Sequence, residues 1–356
     1  MMKEQDFFMQ RCLQLAKNGI GKTRPNPSVG AVIVHENLII AEGFTSPFGG
    51  NHAEVNAIES VKNKSILKQA TIYVTLEPCA HYGNTPPCAD LLVKHQFKKV
   101  VIGCLDTNAL VAGKGVARLK AAGIDVILGV METECKEHHK RFFTVQNKKR
   151  PFVILKWAVS KDGFIAPLQK NERKSIFISN EYSRQIVHKL RSKEHAILVG
   201  TNTVLDDNPS LDVRSWFGEN PVRIILDQHL KIPHNSLVYN GSVKTIFIIK
   251  NSKENELKVA KLLSKRISNI CFETIDFTQN VAVEVCNILQ KHAIQSIIIE
   301  GGSQTLQTFI HANIWDEAHV FRSNLVLTEG VKQPILNGLF SSQNINDDVL
   351  KIYKND

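Results

Sequence analysis

The sequence has no apolar run long enough to cross a bilayer as a helix; its longest, such as "SIIIEGG" and "HAILVG", are strand-sized. A helical membrane protein is therefore not expected. No secretory leader is expected either. The opening "MMKEQDFFMQRCLQLAKNG" spreads charges through an amphipathic helical pattern, with no apolar core or small-residue cleavage site, and this predicts a cytosolic protein. The 7 cysteines are odd in number and have no framework spacing, which excludes a disulfide scaffold. Five of them, Cys12, Cys104, Cys135, Cys271 and Cys286, stand singly in apolar or helical stretches and are expected as reduced, buried thiols. The 44 Lys and Arg leave a net charge of +10, yet they form no long block and no stripe interleaved with aromatics. Nucleic acid is thus not the expected partner, and attraction of a small anionic substrate accounts for the same charge. There is no internal repeat or low-complexity tract. No G-x-G-x-x-G follows a strand, so no motif supports a Rossmann domain.

What is present is a chain of 356 residues, 43% hydrophobic and 22% charged, long enough for two domains that each bury a core. After the first helix, "AVIVHENLIIAEGF" reads as a hairpin, "HAEVNAIESVK" as a helix and "ATIYVTLEPC" as a buried strand. The helix "PPCADLLVKHQ", strand "KKVVIGCLD", helix "GVARLKAAG" and strand "IDVILGV" continue a layered α/β alternation. Near residue 150 a charged run passes through proline into a new apolar strand, placing one domain at 1–147 and a second at 151–356. The second repeats the alternation, with strands near 152–159, 195–200, 222–227, 244–249 and 295–300 and helices near 180–192, 254–265 and 280–292.

Chemistry gathers first in "NHAEVNAI" and "TLEPCAHYGNTPPC". His52 and Glu54 stand at a predicted helix start, and Cys79 ends a strand, where open α/β sheets place their chemistry. A zinc deaminase needs one His and two Cys thiolates on the metal, an open position for water, and a Glu that carries protons without being a ligand. His52, Cys79, Cys88 and Glu54 fill those places. The common form is P-C-x-x-C, but residue 82 is Tyr, so either the second ligand is lost or the loop is lengthened and Cys88 replaces it. Pro86 and Pro87 favour the longer loop, because they stiffen its return and suit a helix entrance, where a thiolate is favoured. His81 is a spare donor, read as a loop residue or substrate contact.

The stretches "RPNPSVGAVIV", "HAEVNAI" and "LEPCAHYGNTPPCAD" resemble the deaminase domain of the bifunctional deaminase–reductases of riboflavin biosynthesis. "LKWAVSKDGFIA", "HKLRSKEHAILVGTNTVLDDNPSLDVR" and "IIIEGGSQTL" resemble their reductase domain, in the same order. The resemblance implies a cytidine-deaminase-like domain followed by one similar to dihydrofolate reductase. It implies hydrolysis of the 2-amino group of a diaminopyrimidinone ribosylamine phosphate with Zn²⁺, then reduction of the ribosyl group to ribityl with NADPH. It further implies that Ala158, Phe177, Thr203, Asp207 and the run Gly302, Ser303, Gln304, Thr305, Leu306, Gln307 and Thr308 line NADPH. Ser175, Arg191, Leu211, Arg214 and Glu300 would then hold the substrate, and an assembly of identical chains is expected. Glu300 and Lys156 are both candidate proton sources, and Asp162 is a further candidate near the reducing centre.

Departures from the family pattern stand at Thr45, Asn84 and Asp106-Thr107-Asn108-Ala109 in the first domain, and at Phe177 and Gln228 in the second. Residues 316–356 match weakly. Two rivals stay open: a zinc deaminase of another base or nucleotide with a degenerate reductase domain, and a non-catalytic zinc protein that keeps the fold. Glu54 argues against the second rival, since the metal does not need it.

Overall fold

Phe8, Met9, Cys12, Leu13, Leu15 and Ala16 recur at helical spacing and bury one face of α1 (Glu4–Ala16). That helix lies against β1 (Gly30–His35) in a computed structural model that describes residues 3–82, 86–107, 112–169, 172–173, 176–263 and 268–355. The chain divides into two units, Met1–Lys149 and Arg150–Asp356. No helix among the described residues is long and apolar enough to cross a membrane.

In the first unit β1 pairs antiparallel with β2 (Leu38–Phe44) and with β3 (Thr71–Leu76). β4 (Lys99–Cys104) and β5 (Asp125–Leu128) then extend the sheet in parallel, in the order β2-β1-β3-β4-β5. The helices are α2 (Ala53–Ser60), α3 (Cys88–Lys94), α4 (Lys114–Ala121) and α5 (Glu132–Lys148). β1, β3 and β4 are buried along nearly their whole length, as central strands covered on both faces must be.

Gly43 shows how tightly α2 rides on β2. A Cβ there would stand 2.4 Å from the Ala53 carbonyl oxygen and 2.5 Å from the Ala57 nitrogen, both backbone atoms that cannot swing away. Gly43→Ala is therefore expected to push α2 outward and cost about 1–3 kcal/mol, read as a lower urea midpoint. Because Glu54 rides on that helix, its placement should shift with it; an unchanged midpoint would contradict this packing.

The second unit centres on a nine-stranded sheet in the order β11-β10-β9-β8-β12-β6-β13-β16-β15. Its parallel strands are β6 (Phe152–Val159), β8 (Ala196–Gly200), β9 (Val222–Leu226), β10 (Thr245–Lys250), β11 (Ile270–Ile275), β12 (Ser296–Glu300) and β13 (Glu317–Arg322). The short strands β7 (Phe164–Ala166) and β14 (Val331–Lys332) pair separately. β15 (Phe340–Ile345) and β16 (Asp348–Lys354) close one edge antiparallel. The helices are α6 (Glu181–Lys193), α7 (Thr201–Asp207), α8 (Lys253–Leu263), α9 (Val281–Lys291) and α10 (Ser303–His311). Along β6 the pleat sends Val153, Leu155, Trp157 and Val159 into the core, while Lys156 and Ala158 face the opposite side, where a cavity opens.

Candidate active sites

In the first unit His52 is the residue before α2, Cys79 lies just past the end of β3, and Cys88 opens α3 after Pro87. Three elements distant in sequence thus deliver three donor atoms to one point. Cys79 Sγ stands 3.6 Å and Cys88 Sγ 3.3 Å from His52 Nδ1, and the three donors lie within 4.8 Å of one another. A tetrahedral zinc with ordinary Zn–S and Zn–N bonds sets its sulfur and nitrogen ligands about 3.6 Å apart, so one such ion fits between them. The return of the loop is fixed by backbone bonds: Cys88 N–H donates to Cys79 Sγ at 3.3 Å, and Ala89 N–H to the Cys79 carbonyl at 3.1 Å. His81 is exposed and outside this cluster.

The thiols are unequal. A hydrogen bond from Cys88 pulls the Cys79 thiol down to about 4 against its burial, with His52 and the Cys88 N–H assisting. Giving that hydrogen bond, together with burial, raises the Cys88 thiol. The hydrogen bond to Cys79 raises the His52 imidazole against burial. Glu54, only 4% exposed, is pushed up to about 7 by burial and by the Cys79 charge.

Glu77 had no assigned role in the sequence reading. Its buried carboxylate accepts Asp106 N–H at 3.3 Å, Gly113 N–H at 2.9 Å and Val116 N–H at 3.1 Å, tying the start of α4 to the turn before Cys79. A buried acid directly before the P-C step was the available signal. Thr45 is buried, and its hydroxyl accepts Val29 N–H at 2.9 Å, so this departure is spent on the backbone. Asn84, Asn108 and Ala109 lie outside the described residues.

In the second unit the carboxyl ends of β9, β8, β12 and β6 border a cavity of about 740 Å³, the usual ligand position in a parallel sheet. Glu300 and Lys156 are direct register partners on β12 and β6. Lys156 Nζ donates to Glu300 Oε1 at 2.7 Å, while Arg191 from α6 donates to Oε2 through Nε at 3.0 Å and Nη2 at 2.8 Å. Burial drives the Glu300 carboxyl up, but the Arg191 guanidinium and the Lys156 ammonium outweigh it and hold it down to about 2.

Ala158, Phe177, Thr203, Asp207, Gly302, Ser303, Gln304 and Thr305 share the cavity wall with Arg191, Leu211, Arg214 and Glu300. Gln228 is on it too. Helical periodicity takes the rest of the 302–308 run away from the wall. Leu306 is in the core, Gln307 Oε1 accepts Ile335 N–H at 2.8 Å, and Thr308 Oγ1 donates back to the Gln304 carbonyl at 2.9 Å. Ser175 lies outside the described residues. Asp162 is not on the wall; it accepts the backbone N–H groups of Leu327 and Thr328, a structural use.

Gly301 and Gly302 adopt φ of 82° and 68°, and α10 begins on Gly302 with no side-chain cap. Open backbone N–H groups at a glycine turn suit a phosphate, so the cradle fits a phosphorylated dinucleotide.

Two families match the chain: the cytidine and deoxycytidylate deaminase zinc-binding region over residues 2–104, and the RibD C-terminal domain over residues 151–351. The riboflavin biosynthesis protein RibD of Aquifex aeolicus is 40% identical over 93% of this chain and 90% of its own length. That of Actinobacillus pleuropneumoniae is 37% identical over 92% and 86%. Among solved structures, a diaminohydroxyphosphoribosylaminopyrimidine deaminase/5-amino-6-(5-phosphoribosylamino)uracil reductase from Thermotoga maritima superposes with a TM-score of 0.86. It is 35% identical, with 99% of this chain and 98% of that one covered. RibD of Acinetobacter baumannii superposes with a TM-score of 0.84 at 31% identity, over 99% and 98%.

Proposed function

We propose, from the premise that this chain belongs to the family of bifunctional deaminase–reductases of riboflavin biosynthesis, how its own residues divide the two reactions. The first unit hydrolyses the 2-amino group of a diaminopyrimidinone ribosylamine 5′-phosphate, and the second reduces the ribosyl group of the product to ribityl. The observation that carries this reading is the convergence of His52 Nδ1, Cys79 Sγ and Cys88 Sγ beside the buried Glu54.

His52, Cys79 and Cys88 would hold Zn²⁺, which supplies a Lewis acid that activates water at neutral pH. Glu54 takes a proton from the attacking water and hands it to the neighbouring ring nitrogen, then takes the proton of the resulting hydroxyl and hands it to the departing amine, so that water and the amidine become a ring carbonyl, a ring N–H and ammonia.

NADPH would lie along Ala158, Phe177, Thr203, Asp207 and the Gly302–Thr305 turn, and it supplies the hydride. Reduction at C1′ breaks the bond to the ribose ring oxygen, which must then take up one proton. Glu300 is held ionised, which favours the Lys156 ammonium as the source and gives Glu300 the task of aiming it. Arg191 is committed to Glu300 and to the Asp212 carbonyl. The exposed Arg214, bonded to its near neighbours Ser210 and Asp212, is therefore the better placed cation for the substrate phosphate. Family resemblance supports an assembly of identical chains.

The test follows ammonia release and NADPH oxidation separately in zinc-loaded protein given the diaminopyrimidinone phosphate. Both signals are expected, in that order. If supplied deaminated intermediate draws no NADPH oxidation, the reductase half of this reading is wrong.

A further inference from the structure

His188 and Arg191 stand three positions apart on one face of α6, and both reach the turn that carries Arg214. His188 Nδ1 accepts the Arg214 N–H at 3.2 Å, and Arg191 Nη1 donates to the Asp212 carbonyl at 3.1 Å. The helix thus grips one donor and one acceptor of the same turn. That turn needs gripping. Leu211, which precedes it, holds φ at 53°, a left-handed conformation that a non-glycine residue keeps only when its surroundings impose it. Leu211 itself is buried, and Val213 N–H donates to Asn220 Oδ1 at 2.7 Å, so the far side of the turn is tied as well.

We propose that His188 is a positioning residue of the reductase site, holding the Asp212–Arg214 turn through Nδ1 so that the Arg214 guanidinium is presented to the 5′-phosphate of the substrate.

The ring can do this only as a neutral imidazole with its proton on Nε2, because a protonated ring has no acceptor. Its setting enforces that state. It is 6% exposed on the cavity wall, and burial, with the charges of Arg191 and Arg214, lowers it to about 4 despite Glu300 and Asp212 nearby. The proposal rests on the assignment of Arg214 to the phosphate.

Two substitutions divide the ring. Asn places an acceptor where Nδ1 stands, and Gln reaches only the Nε2 position. His188→Asn is expected to keep KM for the phosphorylated intermediate within about threefold of the parent, whereas His188→Gln raises it about tenfold or more with kcat little changed. On the same intermediate lacking its 5′-phosphate, both variants should match the parent, an outcome that general loosening of the site would not give. Ammonia release by the other unit and the thermal midpoint report on folding. Equal KM values for Asn and Gln, or an equal loss on the dephosphorylated compound, would overturn the role of His188. Arg214→Ala makes the two failures distinguishable. If it leaves the preference for the phosphorylated compound intact, the phosphate assignment falls and this proposal with it; if it abolishes the preference while His188→Gln does not, His188 alone is wrong.

Discussion

Glu54→Gln is expected to lower ammonia release by about 10²–10⁴-fold, the usual worth of a positioned proton carrier, while zinc still binds. The side chain is 4% exposed at the first turn of α2, beside the donor cluster but not one of its three members. Gln keeps the shape and the polarity but cannot take a proton and give it back. Zinc content, measured on the purified variant, should match the parent, because His52, Cys79 and Cys88 are untouched. NADPH oxidation with supplied deaminated intermediate should also persist. Cys88→Ser gives the contrasting pattern, with zinc and ammonia release lost together. Full ammonia release by Glu54→Gln would sink the assignment of Glu54.

The contrast between those variants reflects what was legible in the chain. Cys88 could be read as the second thiolate because two prolines and a helix start are local signals, and α3 does begin there. Its contact with Cys79 belongs to the same loop, whereas its approach to His52, 36 positions earlier, is set by the packing of α2 and is not legible there. The strands and helices flanking both sites followed hydrophobic periodicity, and β6, β8, β9, β10 and β12 fall where apolar runs placed them. α5 escaped that reading: "ETECKEHHKRFFTVQNK" buries only Cys135, His139, Phe143 and Thr144, too sparse a stripe among charges. β15 and β16 were also missed, since the exposed "FSSQNI" offers no apolar alternation to mark its partner, and so was β13, whose "EAHVFR" is buried but sets charged residues and a His among its apolar ones.

The harder losses concern long-range register. Glu300 and Lys156 were both named as proton candidates, yet nothing within either segment says that they are paired across β12 and β6, 144 positions apart. That pairing decides which of them keeps the proton. Nor does sequence show that His188 meets the backbone of Arg214, since a helix face is legible and what it grips is not. Glu77 is the same case in the first unit, where three backbone donors arrive from residues 29 to 39 positions away.

Glu300→Gln is expected to be the most damaging single change in the second unit. Its carboxylate faces two cations at 11–12% side-chain exposure, so removing its charge leaves the Lys156 ammonium and the Arg191 guanidinium buried without compensation. Breaking a buried pair from one side costs about 3–5 kcal/mol, visible as a lower denaturation midpoint of this unit. Acid should imitate the mutation. The folded carboxyl sits at about 2 against an ordinary 4.5, so the unfolded chain binds its proton first as pH falls. The stabilisation is complete above pH 4.5 and drains away between there and about 2, a contribution of roughly 3 kcal/mol at neutral pH. In Glu300→Gln that limb of the stability curve should flatten, because the group that titrates is gone. Hydride transfer should fall at least about 100-fold at neutral pH, since Lys156 loses the anion that aims its proton. A variant that keeps both its acid limb and its NADPH turnover would show that the Lys156–Glu300–Arg191 cluster neither stabilises the unit nor serves the reaction.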